Sequence, residues 1–329
     1  MERHIRRLTQ LGFALVTIGI GIQFYLFVQQ LERGGAVTVT RPPGVEAFLP
    51  ISSLMSLKYW LVSGDFNLIH PAGLLIFLFI LATALILKRG FCSWVCPFGL
   101  LSEALARVHS RLFDKPRRVW RWLDWPLRSL KYILLGFFVV AILGMSAEAL
   151  RDFLYGPYNR VADIKMLYFF TDASALTIKA IAGLILLSVL VRHFWCRYLC
   201  PYGALLGLTS LASFFKIRRN TTTCTDCKKC SRVCPANISV HRQKTVHSDE
   251  CHACLQCVAA CPVPDTLSFS APLRKLPLKP LTVALLIIGL FLIGDGLARL
   301  GGVWQNSISI NEYRHHLERI DDPAYQHAR

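Results

Sequence analysis

The chain has 329 residues, of which 53% are hydrophobic and only 17% charged, with a formal net charge of +17 and a mean hydropathy of +0.43. An ordinary soluble domain of this size carries about 25% charged residues, so composition already argues against one. The excess of Lys and Arg invites a nucleic-acid reading, which the placement of those charges excludes below.

In chain order, the apolar residues gather in five runs: Leu11 to Val28, Pro71 to Leu87, Tyr132 to Leu150, Leu176 to Phe194 and Leu281 to Ala298. A helix needs about 20 such residues to cross a bilayer, so each run is read as a membrane span. The first follows the basic start Met1-Glu2-Arg3-His4-Ile5-Arg6-Arg7 and is read as an uncleaved helix. Between the runs the basic residues alternate. Lys88 to Lys131 holds ten Lys/Arg against three acids, and Arg192 to Lys279 holds thirteen against four. Leu31 to His70 and Arg151 to Leu176 each hold three of either sign, and the tail from Arg299 holds four of each. That is the positive-inside pattern. It predicts a multi-pass protein of the bacterial inner (cytoplasmic) membrane, N-terminus cytoplasmic and C-terminus periplasmic. The basic segments are accounted for by topology and anionic lipid, and no nucleic-acid partner is expected.

The expected fold is an all-α integral membrane protein of about five transmembrane helices. A small α+β module is inserted before the last of them. Residues 1–215 form the membrane domain, 216–270 the cytoplasmic module, and 271–329 the fifth helix and a polar periplasmic tail. That tail, with Tyr313-Arg314-His315-His316, is expected to be solvated or to touch a periplasmic partner.

All twelve cysteines fall into patterned groups. Cys224-x2-Cys227-x2-Cys230-x3-Cys234-Pro235 and Cys251-x2-Cys254-x2-Cys257-x3-Cys261-Pro262 have the spacing of a bacterial two-cluster ferredoxin. Three closely spaced thiolates wrap one cubane, and the fourth, before the proline, reaches the other. Cys224, Cys227, Cys230 and Cys261 are therefore assigned to one [4Fe–4S] cluster, and Cys251, Cys254, Cys257 and Cys234 to the second. Zinc favours two cysteine pairs across a longer gap, and disulfides do not suit a reducing compartment. Glycine often follows the second cysteine in ferredoxins; here Lys228 and Leu255 stand there.

A second pattern is an internal repeat. Phe91-Cys92-x3-Cys96-Pro97-Phe98-Gly99 follows the second apolar run, and Trp195-Cys196-x3-Cys200-Pro201-Tyr202-Gly203 follows the fourth. Equivalent membrane units suggest a pseudo-symmetric helical core. The four thiols at one membrane face are read as an additional redox or metal site; a transient dithiol pair and a docking turn remain as alternatives.

Apolar helices ending in two Cys-x3-Cys-Pro motifs, followed by a double ferredoxin run, resemble the NapH/NosR/CcoG-type membrane polyferredoxins. The resemblance spans Pro71 to Pro264 and lies nearest to short NapH-like or YccM-like members. It implies electron transfer between the quinol pool and a periplasmic or cytoplasmic redox partner. It leaves open an enzymatic role as part of a quinol dehydrogenase. Two other functions stay open: a metal-reducing or assembly factor for a respiratory metalloenzyme, and a redox-sensing regulator.

No apolar run has a histidine near its middle, and Cys-x-x-Cys-His is absent, so haem is not expected. His70 and Asp65 at the outer edge, and His193 and Tyr198 at the inner edge, are quinone-site candidates whose plainer role is interfacial anchoring. Asp295 and Glu148, acids at the outer ends of apolar runs, are weighed as proton or partner sites against simple interfacial placement.

Overall fold

The computed structural model describes residues 2–113, 119–272 and 277–325. Parts of both basic segments (114–118 and 273–276) and His327 lie outside the described residues. The chain is largely helical, with one small two-stranded sheet.

Three helices are long and apolar enough to cross a membrane: His4–Glu32, Trp122–Gly144 and Pro280–Leu300. A fourth arises if Ala162–Thr171 and Ala175–Leu190, bent by 77° at their break, count as one span. Pro71–Leu87 is apolar but only 17 residues long. The protein is thus a membrane protein with three to four such helices by length and composition, where five runs were expected. The second and fourth runs fall short in length rather than in apolarity. Lys88 turns left-handed at φ 58° directly after the first of these, and His193 does so at φ 60° just beyond Leu190. At the front of the Ala175 helix, Ser174 Oγ accepts from Thr177 N at 3.2 Å, an N-terminal stop signal.

The third run is displaced. Its helix is Arg121–Gly144 rather than 132–150, and a separate helix, Ala147–Tyr155, follows. Ser146 is the reason: its Oγ accepts from Ala149 N at 3.1 Å and caps the second helix. Glu148 therefore lies in that helix's first turn, exposed, not at the end of a span.

By contacts the chain divides into two compact units, and the boundary falls inside each of five helices. Unit one comprises 1–15, 80–136 and 181–290. Its sheet pairs β1, Lys216–Arg219, antiparallel with β2, Leu267–Ser270, with Ile217 opposite Phe269. Both of those side chains are buried. The strand entry is pinned by Phe214 N to Leu85 O at 2.8 Å and Phe215 N to Ile86 O at 3.0 Å.

Unit two comprises 16–79, 137–180 and 291–329. Phe24, Phe27, Val28 and Leu31 of the first helix pack with Val45, Ile69, Val161, Ile164 and Tyr313. A buried ion network runs through it: Arg41 bonds Glu46 at 2.8 Å and Asp163 at 2.7 Å, and both acids are fully enclosed. The tail is not simply solvated. Ser309 caps the helix Ile310–Leu317, and Tyr313 is 1% exposed, edge-on to Phe27 at 5.8 Å. Ile308, Tyr313 and Tyr325 of the tail are thus spent on the core of this unit.

Candidate functional site

The two ferredoxin runs fold alike. Asp226 and Lys228 take φ of 51° and 60°; Ala253 and Leu255, their counterparts, take 48° and 58°. These left-handed positions flank the second cysteine of each run and curl the backbone around a hollow. They suit glycine best, yet the non-glycine Lys228 and Leu255 hold the same turn. One short helix follows each, Lys229–Arg232 and Gln256–Ala259, and buries the third cysteine, Cys230 or Cys257.

Two cavities result. The first is lined by Cys224, Cys227, Cys230 and Cys261, with Arg219, Lys228 and His241 beside them. The second is lined by Cys234, Cys251, Cys254 and Cys257, with Ile217, Ile238, Val240, Val246 and Leu255. Each cavity draws three cysteines from one run and one from the other. Cys227 is exposed, whereas Cys251 and Cys257 are buried. The first hollow is therefore wet and cationic at its rim, the second dry and apolar.

Backbone amides face the sulfurs. Asp226 N–H approaches Cys224, Ala253 N–H approaches Cys251, Gln256 N–H approaches Cys254, and Ala236 and Ile238 N–H approach Cys234. With Arg219, the Asp226 amide draws the Cys224 thiol below its usual range, the amide being the larger influence. Burial pushes Cys254 up to about 12 and Cys257 well above the usual thiol range. Dry thiols of this kind lose their protons only to a metal that replaces them. Among the described residues no three or more His, Cys, Asp or Glu side chains are gathered as a site for one metal ion. Four cysteines around a hollow, with inward-facing amides, fit a multi-iron cluster.

The membrane-edge repeat also folds alike in its two halves. Cys96 N bonds Phe91 O at 2.9 Å, and Cys200 N bonds Trp195 O at 3.0 Å. Cys96 and Cys200 each precede a proline and cap a helix, Pro97–Leu112 and Pro201–Leu211. A third cavity is lined by Cys92 and Cys196 together with Arg6, Arg89, Ser102, Glu103, His193 and His252. Pro235, Ala236 and His252 line both this cavity and the second one. Burial alone would raise the Glu103 carboxyl; the hydrogen bonds and charge of Arg6, 3.0 Å and 2.5 Å away, outweigh it and hold the group below its usual value.

A row of side-chain donors from 88–94 ends on carbonyls of the second ferredoxin run and of the segment just before it. Lys88 Nζ reaches His247 O at 3.3 Å and Ser248 O at 3.1 Å, and Arg89 reaches Asp249 O at 3.1 Å. Ser93 Oγ donates to His252 O, and Trp94 Nε1 donates to Ala253 O at 3.0 Å. From the other half of the repeat, Arg197 donates to Ala236 O at 3.1 Å and pairs with Asp124 at 2.9 Å.

The remaining sequence candidates scatter. His193 lines the third cavity, its Nδ1 2.9 Å from Ser102 Oγ. Tyr198 is buried and donates to Asp124 at 2.6 Å. His70 is buried in unit two, with Nε2 2.6 Å from Asn159 O and Nδ1 3.5 Å from Glu46. Asp65 lies 3.5 Å from the Tyr59 hydroxyl, and Asp295 pairs with Arg299 at 2.8 Å. Arg89, Ser93 and Trp94 were missed as functional residues, although Arg89 stands just before the first Cys-x3-Cys motif and Ser93 and Trp94 lie inside it. Arg219 was missed as well; nothing in its local sequence marks it.

Comparison with known proteins agrees with this site. A family described as "4Fe-4S binding domain" matches twice, at residues 69–116 and 175–221, once for each half of the repeat. A "4Fe-4S dicluster domain" matches residues 216–262. The chain is 42% identical over 315 residues to "Putative electron transport protein YccM" of Escherichia coli (strain K12), covering 94% of this chain and 88% of that one. It is 24% identical over 266 residues to "Ferredoxin-type protein NapH" of Haemophilus influenzae, covering 78% and 85%. To "Regulatory protein NosR" of Pseudomonas aeruginosa it is 30% identical over 226 residues, 64% of this chain but 29% of that one. No solved structure matches. With this relationship to YccM over nearly its whole length, and with both 4Fe-4S domain types in order, the chain belongs to the membrane polyferredoxin family and is an iron–sulfur electron-transfer protein.

Proposed function

We propose that the protein takes electrons from a membrane quinol and passes them, one at a time, through two [4Fe–4S] clusters to a redox partner. Cys224, Cys227, Cys230 and Cys261 hold one cluster; Cys234, Cys251, Cys254 and Cys257 hold the other. Bound there, such clusters supply single-electron transfer at a potential tuned by burial and hydrogen bonds. The chain's own part is to position and insulate them. Amides aimed at the sulfurs stabilise their charge, Ile217, Ile238, Val240 and Val246 keep water from the second hollow, and the donors from 88–94 fix its distance from the Cys-x3-Cys turns.

One observation carries this reading. The second cysteine cavity shares Pro235, Ala236 and His252 with the cavity that Cys92 and Cys196 line at the ends of the apolar segments. These shared lining residues support a route from the membrane edge into the module. Supporting it, the apolar helices leave large side chains outward, Leu15, Ile18, Phe137, Val140, Leu292 and Ile293 among them, each more than half exposed. The tryptophans Trp122 and Trp125 are exposed at the start of the Arg121 helix, as in an interfacial belt. The membrane is taken to be the bacterial inner membrane, crossed five times, with the module cytoplasmic and the C-terminus periplasmic. In this reading the short Pro71 helix makes a span with its flanking residues.

The test is anaerobic titration of the purified chain with a menaquinol analogue, followed by EPR. Reduction of both clusters supports the reading. Full iron that quinol leaves oxidised turns it toward metal reduction for enzyme assembly, or toward redox sensing. Zinc in place of iron removes the clusters from the account.

A further inference from the structure

The two ferredoxin runs share a backbone but not a surface. Aligned on their cysteines, Lys228, Lys229 and Arg232 of the first run stand where Leu255, Gln256 and Ala259 stand in the second. The second run's face is used inside the chain. Ser93 Oγ and the Trp94 indole bond to its His252 and Ala253 carbonyls, Leu255 is buried, and Gln256 Nε2 donates to Glu103 at 3.4 Å. The corresponding face of the first run is open: Cys227, Lys228, Lys229, Arg232 and Val233 are all exposed.

That face is cationic. Residues 216–262 hold eight Lys and Arg against three acids, and two of those acids are committed elsewhere. Glu250 is buried against Lys131, and Asp249 accepts from the Tyr132 hydroxyl. Asp226 and, just beyond the run, Asp265 are the exposed acids left. Among the described residues, none of Lys228, Lys229 and Arg232 forms a salt bridge with a carboxylate. Topology explains an excess of basic residues in this segment as a whole. It does not explain their gathering around Cys227, the exposed cysteine of the twelve. Lys228 and Arg219 line the same hollow as Cys227, and Arg232 donates to Cys227 O at 2.8 Å. A bilayer surface would be met by Trp, Phe or Leu beside the cations; between 216 and 270 the exposed large apolar side chain among the described residues is Val233 alone. Brief electron-transfer contacts are instead small and steered by charge.

Resting on the reading of Cys224, Cys227, Cys230 and Cys261 as a [4Fe–4S] site, we propose that the face carrying Lys228, Lys229 and Arg232 around Cys227 is the docking surface for an acidic one-electron carrier protein. One electron leaves the reduced cluster there and reduces the carrier's own centre by one. No bond forms or breaks, and no proton moves.

The experiment uses the full chain, reduced with dithionite and then freed of it, so that quinol plays no part. It is mixed anaerobically with two one-electron acceptors of opposite charge, acidic plastocyanin and basic cytochrome c, and followed by stopped flow. Plastocyanin reduction is expected to slow about tenfold or more between low salt and about 0.5 M salt. Lys228→Glu with Lys229→Glu should slow it comparably at low salt, without slowing cytochrome c. Arg107→Glu with Arg111→Glu, the same charge change at exposed positions of the helix Pro97–Leu112, should leave it within about twofold. The EPR signal of the first cluster is the loading control. Should the Glu pair lose that signal, Lys228→Gln with Lys229→Gln and the salt dependence of the parent decide the matter. A plastocyanin rate indifferent to salt overturns the proposal, as does equal slowing by both charge reversals, which would report net charge alone. The measurement is repeated in nanodiscs of phosphatidylcholine and of phosphatidylglycerol. If the anionic lipid erases the difference between the parent and the Lys228/Lys229 variant, the patch lies on the bilayer and the proposal falls. Zinc in place of iron removes the underlying reading instead.

Discussion

The indole of Trp94 donates its N–H to the carbonyl of Ala253 at 3.0 Å, joining a residue with no exposed surface to a left-handed residue beside Cys254. The bond sets one of the two strained positions that shape the second cysteine hollow. Replacing Trp94 with Phe keeps most of the ring but leaves a buried carbonyl unpaired, a cost of about 1–3 kcal/mol. The expected result is faster loss of the second cluster to a chelator, with the first unaffected, followed by EPR. Equal loss rates for both clusters would show that the contact only docks the module.

The two hollows differ in surroundings, and their clusters are expected to differ in potential. A reduced cluster gains negative charge, which a wet, cation-rimmed site accepts more readily than a dry one. The centre bounded by Cys224, Cys227, Cys230 and Cys261 should therefore titrate at the higher potential. Cys261→Ala should remove that signal, the one Cys227→Ala removes, and Cys234→Ala should remove the lower. If Cys261→Ala erased the same signal as Cys254→Ala, the crossed assignment would be wrong.

Lys228 is exposed and holds φ of 60°. A non-glycine residue there costs about 1–2 kcal/mol. Lys228→Gly should therefore raise stability by about 1 kcal/mol, less glycine's added freedom in the unfolded chain. Leu255→Gly should not, because Leu255 is buried and lines the second hollow. Thermal unfolding under anaerobic conditions separates the two; a destabilised Lys228→Gly protein would show that its turn is unstrained.

In unit two, burial alone would raise the Glu46 carboxyl, but Arg41, His70 and the Gly73 amide outweigh it and leave it below 4.5. A carboxylate depressed in the folded state contributes stability above its unfolded value and loses it as pH falls through the folded one. Glu46→Gln should destabilise the Arg41–Glu46–Asp163 network by about 3 kcal/mol at pH 7. The gap should narrow in acid below 4.5. Hydrogen exchange over residues 41–49 reads this without depending on the clusters. A gap that stayed constant into acid would mean that Glu46 is uncharged at neutral pH.

The cysteine chemistry was legible because its spacing is local: three ligands lie within seven residues, and a proline marks the fourth. The helix ends were less so. Hydropathy reports where apolar residues run but not where the backbone reverses hand, as at Lys88 and His193, nor that Ser146 starts a new helix. The Arg41–Asp163 pair, 122 residues apart in sequence, leaves no local trace. Tyr313 looked like part of a polar tail because its partner, Phe27, sits in the first helix. The Cys-x3-Cys-Pro pairs were visible as motifs, but the contacts around them, such as Arg89 with Asp249 O and Ser93 with His252 O, appear only in three dimensions.

The exchange of one cysteine between the two ferredoxin runs has a consequence for synthesis. The first hollow has three of its walls once residue 230 has left the ribosome, yet its fourth sulfur is residue 261. The second cannot close without Cys234, made long before its other three. The second therefore has all four sulfurs once Cys257 is made, whereas the first, begun earlier, waits for Cys261, so the hollow started first is the last to be completed.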